Sequence, residues 1–157
     1  MLVHVTAAKL EAKIRRGGLR AKGGVYAFPV LPSFTLTHQW TREILKWTRQ
    51  PMIGVYFRVP DDQSVRVGRY GQIMRSLPAV RAVAEIHSHA DPRGVQIIVD
   101  RAVPARAITR VSALRGVIGW RHRPGAHGSK PCGCPGCVAR GEPGGRALRL
   151  RYERGEL

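Results

Sequence analysis

Acidic residues are scarce in this chain. Of its 157 residues only 10 are Asp or Glu, against 27 Lys or Arg, and the formal net charge is +17. A charge excess of this size repels itself in a compact protein and favours a polyanionic partner. We therefore expect nucleic acid, DNA or RNA, as the partner or substrate. Hydrophobic residues make up 43% of the chain, so a folded domain is expected rather than wholesale disorder.

Long apolar runs are also missing. No window approaches the roughly 20 apolar residues that span a bilayer, and Lys9 and Lys13 interrupt the N-terminus before a signal peptide could form its apolar core. We expect a cytoplasmic protein with no membrane partner. Cysteine is rare, with three residues between Cys132 and Cys137. They are odd in number and too close for a disulfide framework, which fits a reducing compartment.

The cysteines lie close to a histidine. Three thiols and an imidazole occur within eleven residues, in His127, Cys132, Cys134 and Cys137. Zn²⁺ prefers four such ligands in a tetrahedron, and a bound metal would clamp a segment rich in glycine and proline. The sequence therefore predicts a structural zinc knuckle with a basic tail, residues 124–157. His127 is the preferred fourth ligand, and His122, just before this segment, is the substitute.

Turn residues and apolar periodicity divide the chain into many short strands and about three helices, an α+β arrangement. The predicted strands are 2–5, 25–30, 52–59, 64–68, 95–99, 117–120 and an alternating segment at 147–152. The predicted helices are 7–16, 38–48 and 78–87, with Thr6 and Thr37 as caps of the first two. Strands 52–59 and 64–68 are expected to form a hairpin, and Val80, Val83 and Ile86 are expected to face inward.

Two of these strands carry a motif. The strand Leu2-Val-His-Val-Thr6 delivers His4, and about twenty residues later Gly23-Gly24-Val25-Tyr26 delivers a tyrosine after a glycine pair. This order resembles the NAD-reading half of the diphtheria-toxin-like and PARP-like ADP-ribosyltransferases. In that family strand one carries His-x-Thr/Ser and strand two carries Gly-(Val/Ile)-Tyr. The resemblance covers residues 2 to about 110 and implies an ADP-ribosyltransferase-like fold of two small mixed or antiparallel sheets that bind NAD between them.

The resemblance also implies roles for the motif residues. His4 would donate a hydrogen bond to the adenosine ribose of NAD, while backbone groups at Val5 and Thr6 would hold the nicotinamide carboxamide. Tyr26 would stack on the nicotinamide ring, a ring face against a pyridinium cation. Gly24, which has no side chain, would let the backbone approach the ligand closely.

The third element of the family is a carboxylate at the start of a late strand, which stabilises the oxocarbenium-like cation as nicotinamide leaves. The matching residue is Gln96, which keeps the size of Glu but loses its charge. Three explanations are open: a naturally inactive or slow chain, an engineered Glu-to-Gln form of a toxic enzyme, or another acid in this role, Glu85 or Asp100. The second is favoured because the exchange is isosteric. Arg58 is the candidate for binding the NAD pyrophosphate or a substrate phosphate.

The resemblance thus implies an NAD-dependent mono-ADP-ribosyltransferase domain over residues 1–123, with His4, Tyr26 and Gln96 as its catalytic residues and nucleic acid as its target. The expected setting is a toxin or defence effector, for which an antitoxin or a reversing hydrolase would be a partner. Two alternatives remain: a non-catalytic, zinc-stabilised DNA- or RNA-binding protein, and an ADP-ribosyltransferase that acts on protein.

Overall fold

The computed structural model describes residues 1–48, 50–114, 118–119, 146–147, 150 and 154. Over this part of the chain the protein is α+β, with seven strands and four α-helices. The strands are β1 (Leu2–Ala7), β2 (Val25–Pro29), β3 (Met52–Phe57), β4 (Ser64–Arg69), β5 (Arg75–Pro78), β6 (Val95–Val99) and β7 (Ile108–Leu114). The helices are α1 (Glu11–Gly17), α2 (Phe34–Thr37), α3 (Thr41–Thr48) and α4 (Ala79–Ser88), with 3₁₀ turns at Ala8–Leu10 and Ala105–Ala107.

The seven strands form one antiparallel sheet in the order β5-β4-β6-β2-β1-β3-β7. β1 pairs with β3 along its whole length, but with β2 only through Leu2 opposite Pro29 and Val3 opposite Phe28. Beyond Val3 this pairing stops, and we call the unpaired part of β1 and β2 the split. Instead of two small sheets and about three helices, the described residues therefore form one sheet with a narrow junction and four helices.

The two faces of the sheet are covered by different helices. Val65 and Val67 of β4 pack in the main core with Ala82 and Ile86 of α4. Because successive strand residues point to opposite faces, the side chains between these valines point away from α4. The opposite face of the β1-β3-β7 half is covered by α3, where Ile44 and Leu45 pack against a smaller cluster that includes Val5, Met52 and Leu114.

The two predicted helix caps are wrong. Thr6 lies inside β1, and a 3₁₀ turn without a side-chain cap precedes α1. Thr37 lies at the end of α2, where its hydroxyl accepts from the amide of Leu31 at 2.9 Å and donates to the carbonyl of Leu31 at 3.0 Å. Ser33 is the residue that caps α2. A threonine hydroxyl that bonds to a nearby loop is not available for the end of a helix. The predicted helix 38–48 therefore corresponds to α3, which begins later, at Thr41, and the short helix α2 precedes it.

The predicted hairpin between residues 52–59 and 64–68 is also wrong. Both strands exist, but β3 pairs with β1 and β7, whereas β4 pairs with β5 and β6. All six residues of β3 are buried, as expected for a strand with a partner on each side. The two strands at the edges of the sheet, β5 and β7, were not predicted from the sequence.

Two other predictions are confirmed. Helix α4 corresponds to the predicted helix 78–87, and strand β6 has its predicted bounds, 95–99. The inner face of α4 differs, because Ala79, Ala82 and Ile86 are buried whereas Val80 is 48% exposed. In the described part of the chain no helix is long and apolar enough to cross a membrane. The predicted strands 117–120 and 147–152 fall mostly outside the described residues, and their described residues do not form strands: Ile118 and Gly119 are not in a strand, and Ala147 and Leu150 are helical.

Candidate functional site

His4 lies at the split, one residue beyond the last pair between β1 and β2. Its Nδ1 atom is 2.7 Å from the carbonyl oxygen of Tyr26. Because a carbonyl oxygen can only accept a hydrogen bond, Nδ1 carries the proton and donates it. The imidazole thus continues the link between β1 and β2 after their backbone pairing has stopped at Val3.

Burial fixes the charge state of this ring. It lowers the pKa of His4 below the ordinary value of 6.5, and the hydrogen bond to the Tyr26 carbonyl opposes this shift only in part. The ring is therefore neutral at neutral pH, with the proton on Nδ1 and a lone pair on Nε2. A hydroxyl group is the natural partner of this lone pair and would donate to it, whereas the family resemblance implied that His4 itself donates.

Tyr26 lies in a row of side chains that crosses three strands. It is opposite Ile98 of β6, which is opposite Arg66 of β4. Side chains of directly opposed residues lie on the same face, and so do those two positions away along a strand. Tyr26, Ile98, Arg66, Gln96 and Asp100 therefore share the face that points away from α4, and together they define the Tyr26 face.

Two polar groups of the Tyr26 face have no partner among the described residues. Tyr26 is 52% exposed, and no hydrogen bond to its hydroxyl or to the half-buried Gln96 amide occurs in this part of the chain. His4, Tyr26 and Gln96 come from adjacent strands in the order β1, β2, β6. The three residues that the resemblance assigned to catalysis are thus carried by neighbouring strands around the split.

Arg66 and Asp100 form an ion pair at one end of the Tyr26 face. The guanidinium Nε is 3.0 and 3.1 Å from the two carboxylate oxygens, and Nη2 is 2.5 Å from one of them. Hydrogen bonding to Asp100 raises the pKa of Arg66, with a smaller contribution from the Tyr26 phenol. The sequence reasoning missed Arg66. Its only signal was the alternating pattern around it, which places the arginine on an outward face but does not identify a partner 34 residues away.

The backbone conformation and the neighbouring side chains at position 24 require a glycine. Its φ is +100°, and a Cβ there would lie 2.3 Å from Cγ2 of Ile98 and 3.4 Å from Nη2 of Arg66. A side chain would thus be strained and would also clash. Its role as a point of close ligand approach stays a prediction, since the atoms that approach Gly24 in the structure belong to the protein.

Neither of the two alternative acids lies at the position of Gln96. Glu85 is on α4, which packs on the opposite face, and it pairs with Arg75. Asp100 is on the Tyr26 face but four residues along the chain from Gln96, about 13 Å at the usual strand rise. Its carboxylate is held by Arg66.

The other predicted ligand residues are more scattered. Arg58 follows β3, and it lies three residues past Val55, the β3 residue opposite His4. Arg58 is exposed. At the usual strand rise, three residues place it about 10 Å from His4 along the strand direction. Val5 has its side chain buried against α3, and Thr6 is half-buried. The structure therefore brings Val5 and Thr6 next to His4 at the split, but it does not bring Arg58 there.

A buried histidine–tyrosine pair, also missed from the sequence, fixes α2 on the sheet. His38 donates from Nδ1 to the Phe34 carbonyl at 2.8 Å, and its Nε2 is 2.7 Å from the hydroxyl of Tyr56. Burial lowers the pKa of His38, as does the positive charge of Arg110, so the neutral ring accepts from the tyrosine. The guanidinium of Arg110 lies 3.9 Å from the centre of the Tyr56 ring, a cation–π contact.

The predicted zinc ligands, His127, Cys132, Cys134 and Cys137, lie outside the described residues. Within the part of the chain that is described, no group of three His, Cys, Asp or Glu side chains is arranged to hold a metal ion. Comparisons of the chain with protein-family models, with curated proteins and with solved structures found no match.

Proposed function

We propose that the protein is an NAD-dependent mono-ADP-ribosyltransferase that acts on nucleic acid and binds NAD along the split. The observation that carries the proposal is the hydrogen bond from His4 Nδ1 to the Tyr26 carbonyl. It places a neutral imidazole with an accepting Nε2 atom against the backbone of Tyr26, a residue of the neighbouring strand whose side chain is exposed.

Each part of NAD has a complementary group in this arrangement. A ribose hydroxyl donates to Nε2 of His4. The Tyr26 ring faces the nicotinamide cation, a contact worth roughly 1–2 kcal/mol once it is desolvated. Beyond Val3 no further pairing of β1 with β2 occurs among the described residues, and the backbone groups at Val5 and Thr6 are the proposed partners of the carboxamide.

The reaction breaks the bond between C1′ of the ribose and the nicotinamide nitrogen, and nicotinamide leaves with the bonding electron pair. An oxygen or nitrogen of the nucleic acid then bonds to C1′ and loses its proton to water. Gln96 can accept a hydrogen bond from a ribose hydroxyl, but it has no charge to stabilise the cation that develops at C1′. We therefore expect slow transfer by this sequence.

The acceptor class is proposed from charge. The net charge is +17 and arginine accounts for 22 of the 27 basic residues. Arginine presents a planar fork that binds phosphate in two places and stacks on bases. Binding that is based on phosphate contacts weakens steeply with salt, and salt-insensitive binding would favour a protein acceptor instead.

The first experiment is thermal unfolding with and without NAD. At a ligand concentration about a hundred times Kd, NAD should stabilise the protein by about 2.7 kcal/mol. Loss of a contact worth roughly 1–2 kcal/mol should reduce the stabilisation of Tyr26→Ala to roughly 0.9–1.8 kcal/mol at the same NAD concentration. Val80→Ala, a control that truncates a similarly exposed side chain on α4, should keep the full stabilisation. No stabilisation of the wild-type protein, or equal stabilisation of Tyr26→Ala, would contradict the proposal.

Gln96 is also the observation that favours a second candidate, a nucleic-acid-binding protein without catalysis. Labelled NAD offered to Gln96→Glu with separate DNA, RNA and protein pools distinguishes the two. Label in one pool supports the transferase and identifies its acceptor, while nucleic-acid binding with no label in any pool supports the second candidate.

A further inference from the structure

Two aromatic side chains that the proposed transfer reaction does not use lie next to the start of β6. The ring centres of Trp40 and Tyr70 are 5.6 Å apart. The Trp40 indole donates to the carbonyl of Val95, the residue before Gln96, at 3.2 Å. The amide of Tyr70 donates to the carbonyl of Gly94 at 2.7 Å. Both aromatic residues are thus fixed against the backbone that leads into Gln96.

The Tyr70 ring is presented to solvent on the same side as Gln96. Gly68 of β4 is opposite Gln96, and Tyr70 follows two residues later, so its side chain starts towards the Tyr26 face. Tyr70 is 49% exposed, although Trp40 packs against it. The loop after Tyr70 folds back over Gly68, where a Cβ would lie 2.8 Å from the sulfur of Met74.

The same loop carries an isoleucine that is almost entirely in solvent. Ile73 follows Tyr70 by three residues and is 92% exposed. Trp40, Tyr70 and Ile73 together define the Tyr70 platform. It offers a supported aromatic face and an apolar edge beside the proposed reaction centre.

Positive charge accompanies the Tyr70 platform. Arg69 precedes Tyr70, and its guanidinium donates to the carbonyls of Arg93 and Asp91, at 2.5 and 3.0 Å, in the loop before β6. The whole chain carries a net charge of +17. Single-stranded nucleic acids are bound by this combination, in which bases stack on aromatic side chains and basic groups follow the phosphates. In a duplex the base faces are already stacked on each other, so a platform of this kind selects unpaired strands.

We propose that the Tyr70 platform stacks a base of a single-stranded nucleic acid and holds that strand beside Gln96. The identification of this strand as the ADP-ribose acceptor rests on the proposed function. The stacking itself does not, because it requires neither NAD nor a carboxylate at position 96.

The test measures the affinity of the protein for labelled oligo-dT and oligo-rU of about 12 nucleotides, within the range of single-strand site sizes, by fluorescence anisotropy without NAD. Tyr70→Ala should weaken binding of one or both strands by about tenfold or more, as for the loss of one base–aromatic stack. Tyr70→Phe keeps the ring and should bind within about twofold of the wild type, because the stack and not the hydroxyl carries the energy. Val80→Ala, on the opposite face, is the control and should bind like the wild type.

Two further measurements distinguish the loss of a stacked base from misfolding and from the loss of a contact other than stacking. Tyr70→Leu, which keeps an apolar contact with Trp40 but has no ring, should fold like the wild type and bind like Tyr70→Ala. An abasic oligonucleotide should bind the wild type and Tyr70→Ala equally. The strand that shows the larger loss identifies DNA or RNA as the preferred ligand.

Three outcomes would overturn the proposal: equal affinity of wild type and Tyr70→Ala for both strands, equal losses in Tyr70→Phe and Tyr70→Ala, or tighter binding of a duplex than of either single strand. NAD-induced stabilisation, measured on the same variants, keeps this failure separate from failure of the proposed function. It should be unchanged in Tyr70→Ala, while Tyr26→Ala should reduce it.

Discussion

Replacing His4 by Asn separates the two functions of its imidazole. The side-chain nitrogen of Asn corresponds in position to Nδ1 of His, so His4→Asn retains a donor for the Tyr26 carbonyl. It has no atom in the place of Nε2. His4→Ala removes both groups. The pair of variants therefore tests whether His4 only links β1 to β2 or also binds a ligand.

The expected stabilities follow from the 2.7 Å hydrogen bond between Nδ1 and the Tyr26 carbonyl. This bond is exposed to solvent, and an intramolecular hydrogen bond contributes about 0.5–1.5 kcal/mol, which is the destabilisation expected for His4→Ala before any loss of packing. His4→Asn should lose less than about 0.5 kcal/mol because the donor remains. Urea unfolding measures both variants, since an m-value of about 1–3 kcal/mol per molar makes 1 kcal/mol a shift of roughly 0.5 M in the midpoint.

NAD binding should depend on the missing Nε2 atom and not on the Nδ1 donor. His4→Asn lacks the acceptor for the ribose hydroxyl, and the loss of one hydrogen bond of about 1 kcal/mol should weaken NAD binding roughly fivefold. Titration calorimetry of folded His4→Asn measures this. Wild-type NAD affinity in His4→Asn, together with reduced stability of His4→Ala, would refute the ligand role and leave His4 as a link between strands.

Three further predictions concern residues around the split. Tyr56→Phe should lower the free energy of unfolding by about 1–3 kcal/mol, because it leaves the buried Nε2 of His38 without a donor; urea unfolding measures this, and a change below about 0.5 kcal/mol would contradict it. Since the folded-state pKa of His38 lies below its ordinary 6.5, the unfolded chain binds more protons between these two values. The contribution of His38 is therefore fully present above pH 6.5 and is lost as the pH falls through the folded-state pKa, so the wild type should lose more stability on acidification than the non-titrating His38→Gln. Gly24→Ala should cost at least about 1–2 kcal/mol, from its left-handed φ alone, in addition to the clash with Ile98; an unchanged melting temperature would contradict the packing described around Gly24.

All five inner strands could be predicted from the sequence because burial leaves a local pattern. β6 is a continuous apolar run apart from Gln96, and all of β3 is apolar. Such runs indicate strands that are covered on both faces. For the same reason the placement of His4 on β1 and of Tyr26 on β2 followed from the residues around them.

The edge strands and the strand partners could not be predicted in this way. β5 has no fully buried residue and β7 only one, so neither shows the apolar run or the alternation of a covered strand. Charged side chains such as Arg75 and Arg110 are common at sheet edges, where they discourage pairing with other chains. The pairing of β4 with β6, and with it the contact of Arg66 with Asp100, joins residues 34 positions apart, and no local pattern encodes that choice.

The position of the one carboxylate on the Tyr26 face bears directly on whether this sequence can transfer ADP-ribose. A carboxylate about 4 Å from a developing cation contributes about 4 kcal/mol at an effective dielectric constant of 20, whereas one about 13 Å away contributes only about 1.3 kcal/mol. The neighbouring guanidinium of Arg66 cancels much of the smaller value, because it lies against the Asp100 carboxylate. With the reacting carbon beside Gln96, as proposed above, Asp100 does not replace a carboxylate at position 96.

It follows that Gln96→Glu should raise the rate of ADP-ribose transfer by about a thousandfold, since each 1.36 kcal/mol is a factor of ten. Asp100→Asn should change the rate less than about tenfold, whether position 96 is Gln or Glu. Single-turnover rates of the four proteins, wild type, each single variant and the double variant, measure both effects. A loss of all activity in Asp100→Asn, with no gain in Gln96→Glu, would mean that the reacting carbon lies beside Asp100 and not beside Gln96, and the orientation proposed for NAD along the split would be wrong.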